Sequence, residues 1–325
     1  MRENYITSIF AAVVAALLCG AGAASAETVR IAVGAASVAS LPTWVAHEGG
    51  YFAREGTPAE LIYIRGGPQT LSALVSGEVP FAQVYSGPIV AARLTGADTT
   101  IVAGLVNQPF FSVVTKSGIN RPEDLRGKKI GITTFGSATD LALRLALKKW
   151  GLKAETEVSL LQMRGVPEIL PAMASGALDG GVLSPPTNMM AVRAGFKELA
   201  YLPQAGISFQ HTSVATTRRY IEKNRTTVLK VLRAYTAGIE RINADKAFAM
   251  KVLAKYMSVN DPVVLDYSYN VGLPLFKAPP YPTMEGVQVV LDFLGEKEPK
   301  AKQFQPKDFV DNSLLQEVEK GLKKS

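Results

Sequence analysis

Val29-Arg30-Ile31-Ala32-Val33 and Lys128-Lys129-Ile130-Gly131-Ile132 decide the fold, because they are two copies of one predicted strand in an internal repeat, 99 residues apart. At the same spacing, Arg65-Gly66-Gly67-Pro68 matches Arg164-Gly165-Val166-Pro167 without a gap. The matches continue as far as Gly96 and Gly195. Solenoids need about three or more short repeats. Two long copies predict two similar lobes instead, with a cleft between them in which a ligand binds.

Within each copy, short β-branched runs alternate with helical segments that open near Pro and end near Gly. This alternation predicts an α/β fold with two parallel-type sheets flanked by helices. Phe111–Ile119 and His211–Thr217 read as extended, and we interpret them as a two-strand hinge. We expect lobe 1 to comprise residues 27–112 plus 214–325, and lobe 2 residues 113–213. After Arg218, apolar stripes at helical spacing predict helices that pack mainly on lobe 1.

The first 26 residues resemble a signal peptide. Arg2 precedes the mostly apolar run Ile6–Leu18, and Ala24-Ser25-Ala26 fits a cleavage site. Because the run is shorter than the roughly 20 residues of a membrane-spanning helix, we expect export to the periplasm with cleavage near Ala26. An uncleaved anchor or a lipid-modified Cys19 are the alternatives. Cys19 is the chain's only cysteine, so the mature protein would lack disulfides, Cys nucleophiles and Cys-ligated zinc.

The charged residues do not indicate a nucleic-acid partner. The net charge is +7, but lysine and arginine are scattered rather than clustered. His47 and His211 lack companions at metal-ligand spacing, and we interpret both as packed or surface residues. The sequence has no nucleophile elbow, phosphate loop or Ser-x-x-Lys motif. We therefore expect no catalytic residues, no metal and no cofactor, and a monomer that binds a small solute.

Ligands of open parallel sheets bind beyond the carboxyl ends of the strands. The repeat therefore nominates three pairs of facing loops: Ala35–Ser40 with Thr134–Thr139, Arg65–Gln69 with Arg164–Glu168, and Ser86–Pro88 with Ser184–Thr187. The ligand-contact residues that we predict are Ser37, Trp44, Gly67, Gln69, Ser86, Gly87, Gln108, Phe110, Thr134, Gly136, Ser137, Arg164, Ser184 and Pro186.

Several of these residues have a second interpretation. Around Gly136-Ser137, free amides at a helix start suit a carboxylate or sulfonate, but Ser137 can equally cap the helix. Arg164 and its repeat partner Arg65 can clamp an anion or lie on the surface. Trp44 and Phe110 fit an apolar cavity wall or the core.

Three motifs resemble a known family, the nitrate/sulfonate/taurine type of ABC-transporter substrate-binding protein, which also includes binders of thiamine pyrimidines. The motifs are Glu123–Ile132 followed by Gly136-Ser137, Ala174–Asp179 followed by Pro185-Pro186, and Pro42-Thr43-Trp44 through Gly50–Gly56. The resemblance covers Thr28 to Thr217.

This resemblance implies a type II periplasmic-binding-protein architecture that closes on a sulfonate, carboxylate or pyrimidine-like solute. The protein would then dock on an ABC permease in the inner membrane. The family's ligand loops map onto Ser37, Ser86, Gly87, Gly136 and Ser137. Ala138-Thr139-Asp140 replaces the His or Tyr found there in many sulfonate binders, which argues against nitrate and taurine. The alternatives are a periplasmic enzyme on the same scaffold and a ligand-sensing module for a membrane receptor.

Overall fold

The computed structural model describes residues 28–323, so the predicted signal peptide lies outside the described residues. The described residues form two five-stranded sheets, with strand orders β2-β1-β3-β10-β4 and β7-β6-β8-β5-β9. The first sheet contains β1 Val29–Val33, β2 Ala59–Tyr63, β3 Phe81–Tyr85, β4 Thr99–Val106 and β10 Thr212–Thr217. The second contains β5 Ser112–Thr115, β6 Lys129–Ile132, β7 Ser159–Gln162, β8 Gly180–Leu183 and β9 Lys197–Tyr201.

The two sheets have the same topology, as the sequence repeat predicts. In each sheet the first three strands of the copy are parallel, and the first strand lies between the other two. The register pairs Val29 with Ala59 in one sheet and Lys129 with Ser159 in the other. The carboxyl ends of three parallel strands therefore meet at one edge of each sheet, where the candidate loops follow.

Each sheet also contains one strand that runs against the others, so the sheets are mixed rather than wholly parallel. β5 is antiparallel to β8 and β9, and β10 is antiparallel to β3 and β4. Both strands enter from the opposite sheet, because β5 follows β4 along the chain and β10 follows β9. The chain thus crosses between the sheets twice, at residues 107–111 and 202–211.

Helices cover both faces of each sheet. The helices of the two copies are α1 Leu41–Glu48, α2 Tyr51–Arg54, α3 Gly67–Val75, α4 Ser86–Leu94, α5 Ala138–Lys149, α6 Val166–Ala174 and α7 Thr187–Arg193. The helical segment from Leu41 to Arg54 is split into α1 and α2. Gly50 lies between the halves in the left-handed region (φ 68°), which interrupts a helix and which glycine adopts without a steric penalty.

The chain after β10 is helical and packs mainly on the first sheet. Its helices are α8 Arg218–Ala244, α9 Lys246–Met257, α10 Pro262–Gly272, α11 Met284–Gly295 and α12 Ser313–Leu322. The predicted stripe on α8, from Val228 to Ile242, is buried in one cluster with Trp44 and Phe81. No helix within residues 28–323 is long and apolar enough to cross a bilayer. We call the first sheet with α1–α4 and α8–α12 lobe 1, and the second sheet with α5–α7 lobe 2.

Candidate ligand-binding site

A cavity of about 80 Å³ lies between the lobes, where the carboxyl ends of their parallel strands face each other. Five of the six predicted loops contribute to its lining; the loop at Ser86–Pro88 does not. A water molecule needs roughly 10–15 Å³ by this kind of measure. The cavity therefore has room for several waters or for one small organic molecule.

Five predicted ligand-contact residues line the cavity: Ser37, Gly67, Ser137, Arg164 and Ser184. The other nine do not. Gly87 and Gly136 line a neighbouring apolar groove instead, Pro186 precedes α7, and Gln69 folds back over Gly66. Gln108 lies in the crossing between the sheets, and the buried Thr134 hydroxyl has no hydrogen-bond partner within residues 28–323.

Three residues predicted to line the site are instead part of the packed interior. Trp44 stacks on Tyr256 with ring centroids 4.8 Å apart, in the core beneath α8. Phe110 is fully buried in the same core. Ser86 is also fully buried, and its hydroxyl donates to the Gln210 carbonyl oxygen at 2.5 Å. The tertiary packing therefore removes all three from the cavity.

The start of α5 shows the capping role that was one of the two interpretations of Ser137. Ser137 caps the helix, since its hydroxyl accepts the Asp140 amide at 3.5 Å. The amides of Phe135 and Gly136 already donate to the side chains of Gln162 and Asp140, both at 2.8 Å. These amides are unavailable to a ligand in this arrangement. Those of Ala138 and Thr139, which line the cavity, have no acceptor among the described residues.

Two further helices begin at the cavity without a side-chain cap. α3 begins at Gly67 and α6 at Val166, and neither has a capping side chain. Both residues line the cavity, and their amides have no hydrogen-bond acceptor in the described part of the chain. Unpaired amides at the positive end of a helix dipole favour a negatively charged group. Three helix starts therefore favour an anion in the same cavity.

The repeated arginines differ in their ion pairing. Arg65 of lobe 1 pairs with Glu168 of lobe 2, at 3.1 Å between Nη1 and Oε1. The repeat places Arg164 opposite position 69, where the residue is the neutral Gln69. Arg164 accordingly has no ion pair within residues 28–323, and it lines the cavity. Its φ of 69° is unusual for a residue other than glycine, and such strain is often found at functional sites.

His211 lines the cavity, although its sequence context indicates only a packed or surface residue. It lies just before β10, and its side chain is buried among the rings of Phe110, Phe111 and Phe209. Its Nδ1 lies 2.7 Å from the Thr212 hydroxyl, whereas its Nε2 is buried without a hydrogen-bond partner in the described structure. Burial lowers the pKa of His211 to about 3, so the imidazole is neutral at pH 7.

Other cavity residues escaped the prediction although the repeat could have identified them. Tyr85, at the end of β3, is the repeat partner of Ser184, and both line the cavity. Tyr63 and Thr133 also line it, and each lies at or just after the end of a parallel strand. Applying the strand-end rule to the last residue of each strand and to the residue after it would have included them.

The family model described as NMT1/THI5 like matches residues 38–247, which is more than half of the chain. The chain belongs to the NMT1/THI5-like family. It is 32% identical to the taurine-binding periplasmic protein of Escherichia coli (strain K12) over 170 residues, 51% of either chain. It is 31% identical over 146 residues to the 4-amino-5-hydroxymethyl-2-methylpyrimidine phosphate synthase of Schizosaccharomyces pombe, covering 44% of this chain and 40% of the synthase.

The fold of this NMT1/THI5-like chain is that of periplasmic solute-binding proteins. The alkanesulfonate-binding protein of Xanthomonas axonopodis pv. citri, solved with MOPS bound, aligns with a TM-score of 0.74 and 19% identity. The alignment covers 89% of this chain and all of that protein. The chain spans about half the length of the curated relatives it matches, and the relatives include both a binding protein and a synthase.

Proposed function

We propose that this chain is an exported solute-binding protein that captures a small organic anion between its lobes and delivers it to an ABC importer. The observation that carries the proposal is the interlobe cavity, where three helix starts converge beside Arg164, and the first amide of each helix and the Arg164 guanidinium have no partners within residues 28–323. The proposal includes cleavage near Ala26 and a periplasmic monomer whose chain passes between the lobes near residues 112 and 213.

We infer a negatively charged ligand because only one of the two repeat-related arginines has an ion-pair partner in the described chain. Arg65 is neutralised by Glu168 across the cleft. Gln69 cannot neutralise Arg164 in the same way, so one guanidinium at the cavity keeps its charge. A carboxylate or sulfonate would complete this arrangement with charge-assisted hydrogen bonds, which are stronger than neutral ones.

Capture depends on closure of the two lobes. Besides the Arg65–Glu168 pair, the Asn188 amide of α7 donates to the Tyr267 hydroxyl of α10 at 2.8 Å. Arg193, also on α7, bonds the Asp261 carboxylate before α10 at 2.6 Å. A ligand that contacts both lobes favours the closed state by the difference between its affinities for the two states.

A thermal-shift screen tests this proposal directly. The purified protein is heated with sulfonates, aliphatic and aromatic carboxylates, and neutral analogues such as benzamide. Calorimetry then measures the affinity of each hit, and X-ray scattering compares the protein with and without it. We expect anions to raise the melting temperature and compact the particle. Stabilisation by neutral analogues alone would contradict the proposal.

The synthase relative supports a second candidate, an enzyme built on the same scaffold. The two functions predict different fates for the bound compound. A binding protein releases its ligand unchanged on denaturation, whereas an enzyme alters it. Mass spectrometry of the released compound after prolonged incubation separates them, and any time-dependent conversion favours the enzyme.

A further inference from the structure

His211 offers a binding group that the charge argument does not use. It is 5% exposed, lines the cavity and sits where the chain returns from lobe 2 to lobe 1. Its Nε2 is one of a few buried side-chain atoms that lack a hydrogen-bond partner within residues 28–323. A buried polar atom without a hydrogen-bond partner is costly in a folded protein. A ligand atom in the cavity that bonds to Nε2 would remove this cost.

Counting protons identifies which tautomer this site favours. If the Thr212 hydroxyl donates to Nδ1, every polar group of the pair is used except the Nε2 proton. If Nδ1 donates instead, both the hydroxyl proton and the Nε2 lone pair are left without partners, because the Thr212 hydroxyl has no other hydrogen bond among the described residues. The first arrangement leaves fewer unpaired groups, so Nε2 carries the proton.

We infer that the His211 Nε2–H is a specificity-determining donor that bonds an acceptor atom on the apolar part of the ligand. The inference rests on the proposed function and makes its ligand more specific. The ligand then has two features: an anionic group for Arg164 and the helix starts, and an uncharged acceptor such as a ring nitrogen or a carbonyl oxygen. An ammonium group has only protons to donate and is rejected at this position.

The surroundings of the imidazole support this role. The three aromatic rings around it have centroids 5.1–6.1 Å from its own. Burial is the sole cause of its lowered pKa, since no charged side chain contributes to the shift. The ring therefore presents a neutral donor in an apolar wall. When the lobes close on a ligand that has no acceptor atom at this position, the Nε2–H stays buried and unpaired. The site therefore selects against such ligands.

Nuclear magnetic resonance tests the tautomer without any ligand. Histidine-labelled protein contains only two imidazoles, His47 and His211, and the variant His47→Gln assigns the signals. We expect the His211 ring to be in the Nε2–H form throughout pH 5–8. The Nδ1–H form would overturn the inference, whatever the protein binds.

Calorimetry with matched probes tests the contact itself. Nicotinate and benzoate differ by one ring nitrogen, as do pyridine-3-sulfonate and benzenesulfonate. We expect wild-type protein to prefer the nitrogen-containing member by about fivefold or more. His211→Phe should abolish the preference, and His211→Gln, which keeps an N–H donor, should retain part of it, with His47→Gln as the control.

The outcomes separate this inference from the proposed function. Binding of both members of a pair with equal affinity by the wild type would overturn the role of His211 while supporting an anion site. Failure of all four probes to bind would count against the proposed anion site. The tautomer measured by nuclear magnetic resonance would then still show whether Nε2 carries the proton. Circular dichroism of each variant checks that it is folded.

Discussion

Gln69→Glu tests whether the unpaired charge of Arg164 binds the ligand. The side chains of Gln69 and Glu168 occupy equivalent places, since each folds back over the glycine three residues earlier, Gly66 or Gly165. A carboxylate at position 69 should therefore reach Arg164 as Glu168 reaches Arg65, at 3.1 Å. The substitution supplies from within the protein the negative charge that the ligand would otherwise provide.

The magnitude follows from the exposure of the existing pair. Arg65 and Glu168 side chains are 58% and 35% exposed, so a similar new pair should change the free energy of unfolding by at most about 1 kcal/mol. A ligand that loses its charge-assisted bond should lose about 1.5–3 kcal/mol. Affinity should thus fall by about 10- to 150-fold, with almost no change in melting temperature.

Calorimetry with benzoate and nicotinate provides the assay, and reciprocal substitutions provide the controls. Glu168→Gln should bind anions at least as tightly as the wild type, because it frees a second guanidinium. The double variant Gln69→Glu/Glu168→Gln again has one unpaired arginine, and it should recover part of the lost affinity. An affinity of Gln69→Glu within twofold of the wild type would refute the reasoning.

Three further predictions follow from the described contacts. The pKa of Asp261 is lowered chiefly by its hydrogen bond with Arg193. This interlobe contact therefore stabilises closure fully above the ordinary pKa near 3.8 and is lost as the pH falls through the lower folded-state pKa. X-ray scattering should show the lobes opening in that acidic range, and it should show a smaller change for Asp261→Asn, whose interlobe contact is already weakened at neutral pH. In Gly238→Ala the new methyl lies 2.9 Å from the Ala46 Cβ, and overpacking of about 1–3 kcal/mol should lower the melting temperature by several degrees; an unchanged melting curve would contradict this packing. Trp44→Phe should leave affinity for every probe within twofold, because Trp44 is in the core, and a larger loss by calorimetry would return it to the site.

The sequence predicts the framework of this fold because the relevant signals are local. The repeated runs Val29–Val33 and Lys128–Ile132 form β1 and, from Lys129 onward, β6, as predicted. β-Branched runs and helix starts at proline depend on a few neighbouring residues. The duplication then predicts that two sheets share a topology, which no single segment could indicate.

The site was less predictable because it depends on contacts between distant residues. Ser86 is predicted from the sequence to contact the ligand, yet its hydroxyl bonds the carbonyl of Gln210, which lies 124 positions away. Trp44 lies on a helix whose period does not reveal which face meets the cavity. The unpaired Nε2 of His211 becomes visible only when the three phenylalanine rings are packed around it. Such features are set by tertiary structure rather than by local pattern.

The bonds from α7 to α10 have a consequence for the empty protein. Neither Asn188 nor Tyr267 lines the cavity, and neither do Arg193 and Asp261. These bonds need no solute, so they lower the free-energy cost of closing in the empty protein as well. A ligand that binds the closed state then loses less affinity to the free-energy cost of closing.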